Sequence, residues 1–291
     1  MAREPLFRHR PFSVMASSES APKKKGFVFK PIQKPVRSTP LYGQLVPGAA
    51  APRSAPSAAV SALFAREDWA WVAIDVETHD LVPATANSRW IQGQFGYLSR
   101  LDADVLAGLR VVQVGWAYGD FLSGGDPETK ERLIRPDGFA VAGAATEKHG
   151  ISDLQARTEG TSMRDVLQEM VCDVCTKVSR GARVCGHHLE FDAGIVAAEL
   201  DRLGMDALRE LWEQSVVDGV CTMDPDIGHW VRQQAGFGDK ERNTPMRLKD
   251  AVSLLLPNSK SKELLKAHHS AGGDARMHWL LCQELWRRAL A

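Results

Sequence analysis

The chain has 291 residues, 44% of them apolar, which is enough for one larger domain or two small ones with a real core. No stretch approaches the roughly 18 consecutive apolar residues of a membrane span, and no short apolar core follows the basic N-terminus as in a secretory signal. A soluble intracellular protein is therefore expected, with Cys172, Cys175, Cys185, Cys221 and Cys282 as reduced thiols, because an odd number of scattered cysteines is not a disulfide framework.

The net charge of zero hides an asymmetry. Residues 1–66 carry 11 Lys and Arg against Glu4 and Glu19, a net +9, so the remainder carries −9. This segment holds the run Lys23-Lys24-Lys25 and an Ala/Pro/Ser-rich stretch from Gly48 to Ala62, with no periodic apolar pattern. Its low apolar density cannot offset the entropy of ordering, and we read it as a disordered basic arm. Three roles stay open for it: contact with a polyanion, a solvated tail, or an organelle transit peptide, for which Arg3, Arg8, Arg10 and the nearby serines speak. Localisation is accordingly nuclear, cytoplasmic or organellar. The acidic body, residues 67–291, is the folded domain.

Trp69 to Ile74 is an apolar run of strand length that empties into Asp75-Val76-Glu77-Thr78. Residues 79–110 lack periodicity and form a long excursion. Leu109 to Tyr118 is a second strand, Gly124-Gly125-Asp126-Pro127 a turn, and Glu131 to Ile134 a third strand. Ser162, with Asp165 three residues on, starts a helix whose apolar positions run from Met163 to Val178. Arg183 to Cys185 is a short strand, and Phe191, Ile195, Val196, Leu200 and Leu203 form the stripe of the next helix. Ser215 to Cys221 is a further strand candidate, Arg247 to Leu256 a helix stopped by Pro257, and Gly273 to Leu290 a closing helix. The order is βββαβαβαα, a mixed α/β layer fold.

Three segments carry chemistry. Asp75 and Glu77 are i and i+2 on a strand, so both carboxylates leave the same face and repel unless a cation lies between them. Asp192 shares a helical stripe with Val196 and Leu203 and points inward, which is costly for an unpaired acid. Asp274 shares a face with His278, Leu281 and Leu285, and His269 precedes it on a Ser-Ala-Gly-Gly approach. The bland readings are solvated strand-end acids, a helix N-terminal Asp favoured by the dipole, and surface histidines. Cys172 and Cys175 with Cys185 and His187 or His188 offer a zinc reading.

Taken together, Asp-x-Glu on a strand, an inward Asp, and then His-x-Ala-x-x-Asp resemble the DEDD exonuclease superfamily. The histidine branch, DEDDh, is the nearer one, since Tyr42, Tyr97 and Tyr118 all lie far from Asp274. Val112-Gln113-Val114-Gly115 matches that family's second strand, and Glu147-Lys148-His149-Gly150-Ile151 its His-Gly-Ile turn. The chain departs from the pattern with His79-Asp80 in place of Thr-Gly, with His188 in place of Asn, and with the inserted excursion 79–110. The resemblance implies a ribonuclease H-like mixed β-sheet flanked by helices and a 3′→5′ exonuclease acting on single-stranded DNA or RNA. It implies two Mg²⁺ or Mn²⁺ held by Asp75, Glu77, Asp192 and Asp274, with His269 as general base and Thr78, His149 and His188 at the substrate. A free 3′ end is the implied partner, and a homodimer or a polymerase or other nucleic-acid machinery stays open. The competing reading is a catalytically silent nucleic-acid-binding module of the same fold, or a scaffold recruited through the arm.

Overall fold

A computed structural model describes residues 60, 61, 64, 70–82, 103–223, 225–234 and 246–289. Most of the arm and of the excursion therefore lies outside the described residues. Strand β1, Ala70–Thr78, is followed by helix α1, Ala103–Gly108, strand β2, Val111–Asp120, and strand β3, Glu128–Leu133. Two short helices come next, α2 at Gly143–His149 and α3 at Asp153–Glu159, then the long α4 at Met163–Ser179. Strand β4, Arg183–Gly186, leads into α5, Leu189–Arg202, and α6, Asp206–Val216. Strand β5, Val220–Cys221, precedes α7 at Pro225–Gln234, α8 at Leu248–Leu255, α9 at Asn258–Leu264 and α10 at Ala271–Ala289.

The five strands form one mixed sheet in the order β3-β2-β1-β4-β5. Strands β1, β2 and β3 run as an antiparallel meander, and β4 and β5 lie parallel to β1. Alternation along β1 sorts its side chains between two cores. Trp71 and Ala73 join the layer of α7, α8 and α10, while Val72, Ile74 and Val76 join that of α4, α5 and α6. This is the expected helix-flanked sheet.

Ser162 caps α4, its Oγ accepting from the Asp165 amide at 3.2 Å and donating to Asp165 Oδ2 at 2.6 Å. Helix α10 is fixed to β1 by aromatics. Phe121 stacks on Trp71 with centroids 5.0 Å apart and meets Trp279 edge-on at 4.9 Å, while Trp279 Nε1 donates to the Trp71 carbonyl at 3.0 Å.

Several expectations change. The strand candidate Ser215 to Cys221 is helical up to Val216 and extended only at Val220–Cys221, because Trp212, fully buried on α6, ties that stretch to the helical layer. Helices α1, α2, α3, α6, α7 and α9 were not anticipated. Val60 and Phe64, assigned to the arm, are buried in the core, Phe64 with its ring 6.1 Å from Trp71. The zinc reading fails on geometry: Cys175 packs in the core of the α4–α6 side of the sheet and Cys185, beside Cys282, in that of the α10 side. No helix among the described residues is long and apolar enough to cross a membrane.

Candidate active site

Strand β4 stops at Gly186, and its ladder with β1 ends at Ala73, so the last turn of β1 emerges beyond its parallel neighbour. In open α/β sheets such carboxyl ends are where ligands sit. Asp75 and Glu77 leave β1 here on the face of Trp71 and Ala73, toward α10. Asp274, in the first turn of α10, meets them. One carboxylate oxygen from each of Asp75, Glu77 and Asp274 lies within 4.8 Å of the others, a grouping able to hold a metal ion.

Asp192 arrives from α5 on the other side. It stands outside that trio, with Oδ1 accepting from the Val76 amide at 3.0 Å, and is 3% exposed. Sequence reading placed Asp75 and Glu77 on one face of the strand end and Asp192 and Asp274 inward; the structure brings Asp75, Glu77 and Asp274 into one group, with Asp192 against the same strand.

Burial raises the pKa of Asp75 well above the usual carboxylate range, reinforced by the charges of Asp192, Asp274 and Glu77. Burial likewise pushes Glu77 up to about 8, with Asp274 and Glu131 adding to it. Asp192 is also raised by burial, against which the Val76 hydrogen bond works. Lys148, at the end of α2, opposes the rise at both Asp75 and Glu77. Three carboxyl groups whose ionisation is hindered, facing the further carboxylate of Asp274, are a site in want of positive charge.

The histidines divide the work around these acids. His278 is buried, donates from Nδ1 to the Ile74 carbonyl at 3.1 Å, and turns Nε2 toward Asp75 Oδ1 at 3.8 Å. Burial lowers its pKa to about 4, so it is neutral beside the acids. His269 carries φ 71°, in the left-handed region, and its amide approaches the Asp274 carboxylate at 3.3 and 3.4 Å. The imidazole that hydrogen-bonds Asp274 is instead that of His268, through Nδ1 at 2.9 Å.

His149 bridges the end of β1. Its Nδ1 accepts from the Ile151 amide at 3.1 Å, so Nε2 carries the proton and donates to the Thr78 carbonyl at 3.2 Å. Thr78 and His149 are thereby brought together, although the Thr78 hydroxyl is turned to the Asp80 carbonyl. His188 sits at the N-terminus of α5 with φ 81° and its ring stacked on Phe191 at 5.3 Å. Burial lowers its pKa to about 4.

Sequence reasoning missed the groups that hold α10 in place. Gln113 Oε1 accepts from the Ala271 amide at 2.9 Å, and Glu131 Oε2 from the Gly272 amide at 2.8 Å. Lys148 was missed too. It stands within the quoted Glu147–Ile151 segment without a role assigned to it, because its approach to the acids depends on how α2 packs, which spacing does not reveal.

No protein-family model matches the chain, and no curated protein matches it in sequence. Solved structures do resemble it. The zinc-bound form of an E. coli exonuclease I complex with single-stranded DNA aligns with TM-score 0.52 at 16% identity, over 76% of this chain and 41% of that one. E. coli exonuclease I with a dA16 oligonucleotide gives TM-score 0.51 at 15% identity, over 75% and 41%. The complex with a dT13 oligonucleotide gives 0.50 at 15%, over 74% and 40%. The chain thus spans about two fifths of those proteins, and at such identity the likeness establishes the shared fold.

Proposed function

We propose that the protein is a metal-dependent 3′→5′ exonuclease of the DEDDh type, releasing nucleotides from the free 3′ end of single-stranded DNA or RNA. The observation that carries this reading is the convergence of Asp75, Glu77 and Asp274 at the end of β1, with Asp192 behind them. The exonuclease fold and the His-x-Ala-x-x-Asp spacing lend further support.

Oxygen donors alone suit hard divalent cations, so the trio and Asp192 fit Mg²⁺ or Mn²⁺. Bound there, two such ions would lower the pKa of a water and neutralise charge on the attacked phosphate. The chain's own residues have distinct tasks. Asp75, Glu77, Asp192 and Asp274 would hold the cations through their carboxylate oxygens. His269 takes the proton of the attacking water, its pKa held below the usual imidazole value by burial and by His268, so that it is neutral at physiological pH. His278, its Nδ1 donating to the Ile74 carbonyl, packs its neutral ring beside Asp75. Thr78, His149 and His188 border the position of the terminal nucleotide, with Lys148 available to a phosphate.

Digestion of end-labelled single-stranded DNA and RNA, with Mg²⁺ or Mn²⁺ present or chelated, tests the reading. Mononucleotides should appear from the 3′ end only with metal, and a blocked 3′ end should protect. Efficient cutting of a circular single strand would establish an endonuclease instead. Binding without turnover would favour the silent module.

A further inference from the structure

Beside the carboxylates stands a second group of donors with a different chemistry. One ligand atom each of His268, His269 and Asp274 lies within 4.8 Å of the other two. The imidazoles stack with centroids 3.7 Å apart and planes 25° from parallel, and His268 Nδ1 lies 2.9 Å from Asp274 Oδ1. This proximity is built into the backbone. His269 is held in the left-handed region at φ 71°, a conformation that strains a non-glycine residue. Ser270 follows and accepts from the Gly273 amide at 3.1 Å, so the strained residue is the hinge that folds both rings against the start of α10.

Two imidazole nitrogens and one carboxylate oxygen are a borderline donor set. They suit Zn²⁺ and its late first-row neighbours, whereas Mg²⁺ takes oxygen ligands and water. Three protein ligands with one position left open is a tetrahedral zinc arrangement. We propose that His268, His269 and Asp274 form a transition-metal site, distinct in donors from the Asp75–Glu77–Asp274 group and in competition with it for Asp274. Zn²⁺ takes the place of the hydrogen-bonded proton between His268 Nδ1 and Asp274, which leaves to solvent, and the His269 ring turns out of the stack to present a nitrogen. If the nuclease reading holds, as this consequence requires, Zn²⁺ withdraws one carboxylate and the base together and inhibits Mg²⁺-supported hydrolysis.

The site itself is tested without turnover, so a failure of the nuclease reading leaves the outcome legible. Zn²⁺ and Mn²⁺ binding to the metal-stripped full chain is measured by calorimetry, and imidazole ¹⁵N shifts of the unaltered protein are followed during Zn²⁺ titration. Two histidines should shift. His268→Ala, or His268→Gln should the first fail to fold, should weaken Zn²⁺ by about tenfold or more and Mn²⁺ by less than about threefold. Glu77→Gln should show the reverse preference. Unmoved imidazole resonances, or Zn²⁺ weakened as much by Glu77→Gln as by His268→Ala, would overturn the proposal in favour of zinc in the all-carboxylate group.

Discussion

An isolated buried carboxylate takes a proton; several facing one another take a cation. Replacing Asp75, Glu77, Asp192 or Asp274 by its amide should therefore abolish hydrolysis while the metal-free fold holds or gains stability. For Glu77→Gln at pH 8 the gain should be about 1–3 kcal/mol, since each tenfold separation of acid constants is worth about 1.4 kcal/mol. Two or more folded amide variants with near-normal turnover would dismiss the metal assignment. His269→Ala should lower the rate about 10²- to 10⁴-fold, the usual worth of general-base assistance, and His268→Ala by far less. With the base neutral above its pKa, activity should climb with pH through a limb below 6.5 that vanishes with His269. A crippled His268→Ala beside a His269→Ala with the wild-type profile would shift the base to the other ring. The inward acids were legible because strand and helix periodicities say which way a side chain points. The hydrogen bond of His268 to Asp274 was not, since it follows from the left-handed turn at His269 that no pattern of residue types announces.

Helix α10 brings half the site to the sheet, and its docking leaves no slack. A Cβ added to Gly115 would overlap the Ala271 carbonyl and the Gly272 amide, backbone atoms that cannot turn aside. Gln113 and Glu131 then satisfy the helix's first free amides from the sheet below. Gly115→Ala should push the start of α10 away, costing about 1–3 kcal/mol of stability by overpacking and carrying Asp274 out of reach of Asp75 and Glu77. Metal affinity should fall more than the unfolding midpoint. A variant with full metal affinity would mean that the helix tolerates the shift without moving its acid. The long apolar elements β1, β2, α4 and α10 were legible in the sequence, their periodicity extending over enough residues to be distinctive. Strand β5, two residues long, and short helices such as α2 and α9 owe their form to packing against that frame, where local preference is weak.

Across the whole molecule, two charge arrangements make separate claims. The basic arm should add affinity for nucleic acid without chemistry, and because Val60 and Phe64 belong to the core, the informative truncation removes residues 1–48 and not 1–66. That truncation should flatten the salt dependence of binding and spare catalysis, as lost phosphate contacts do; an unchanged slope would point to targeting. Within the folded body, buried acids and buried histidines pull stability in opposite directions with pH. Asp75, Glu77 and Asp192 hold their protons more tightly folded than unfolded, Glu77 until about 8. From the ordinary Glu value of 4.5 upward, the folded state thus binds more protons, and stability falls as pH rises. His187 and His278, pushed by burial to about 3 and about 4, do the reverse: below 6.5 the unfolded chain binds more protons, and stability falls as pH drops. The two slopes oppose between about 4.5 and 6.5, and above 6.5 only that of the acids remains. Metal-free protein should therefore be most stable in that window, losing stability toward pH 8 and again below pH 4.5. Denaturant midpoints across the range would measure this. Mn²⁺ at about a hundred times its dissociation constant should restore roughly 2.7 kcal/mol on the alkaline side, and Glu77→Gln should flatten that side without metal. Stability that held or climbed from pH 6.5 to 8 in the metal-free protein would mean that the acids are already ionised and compensated, and the case for a cation between them would fail.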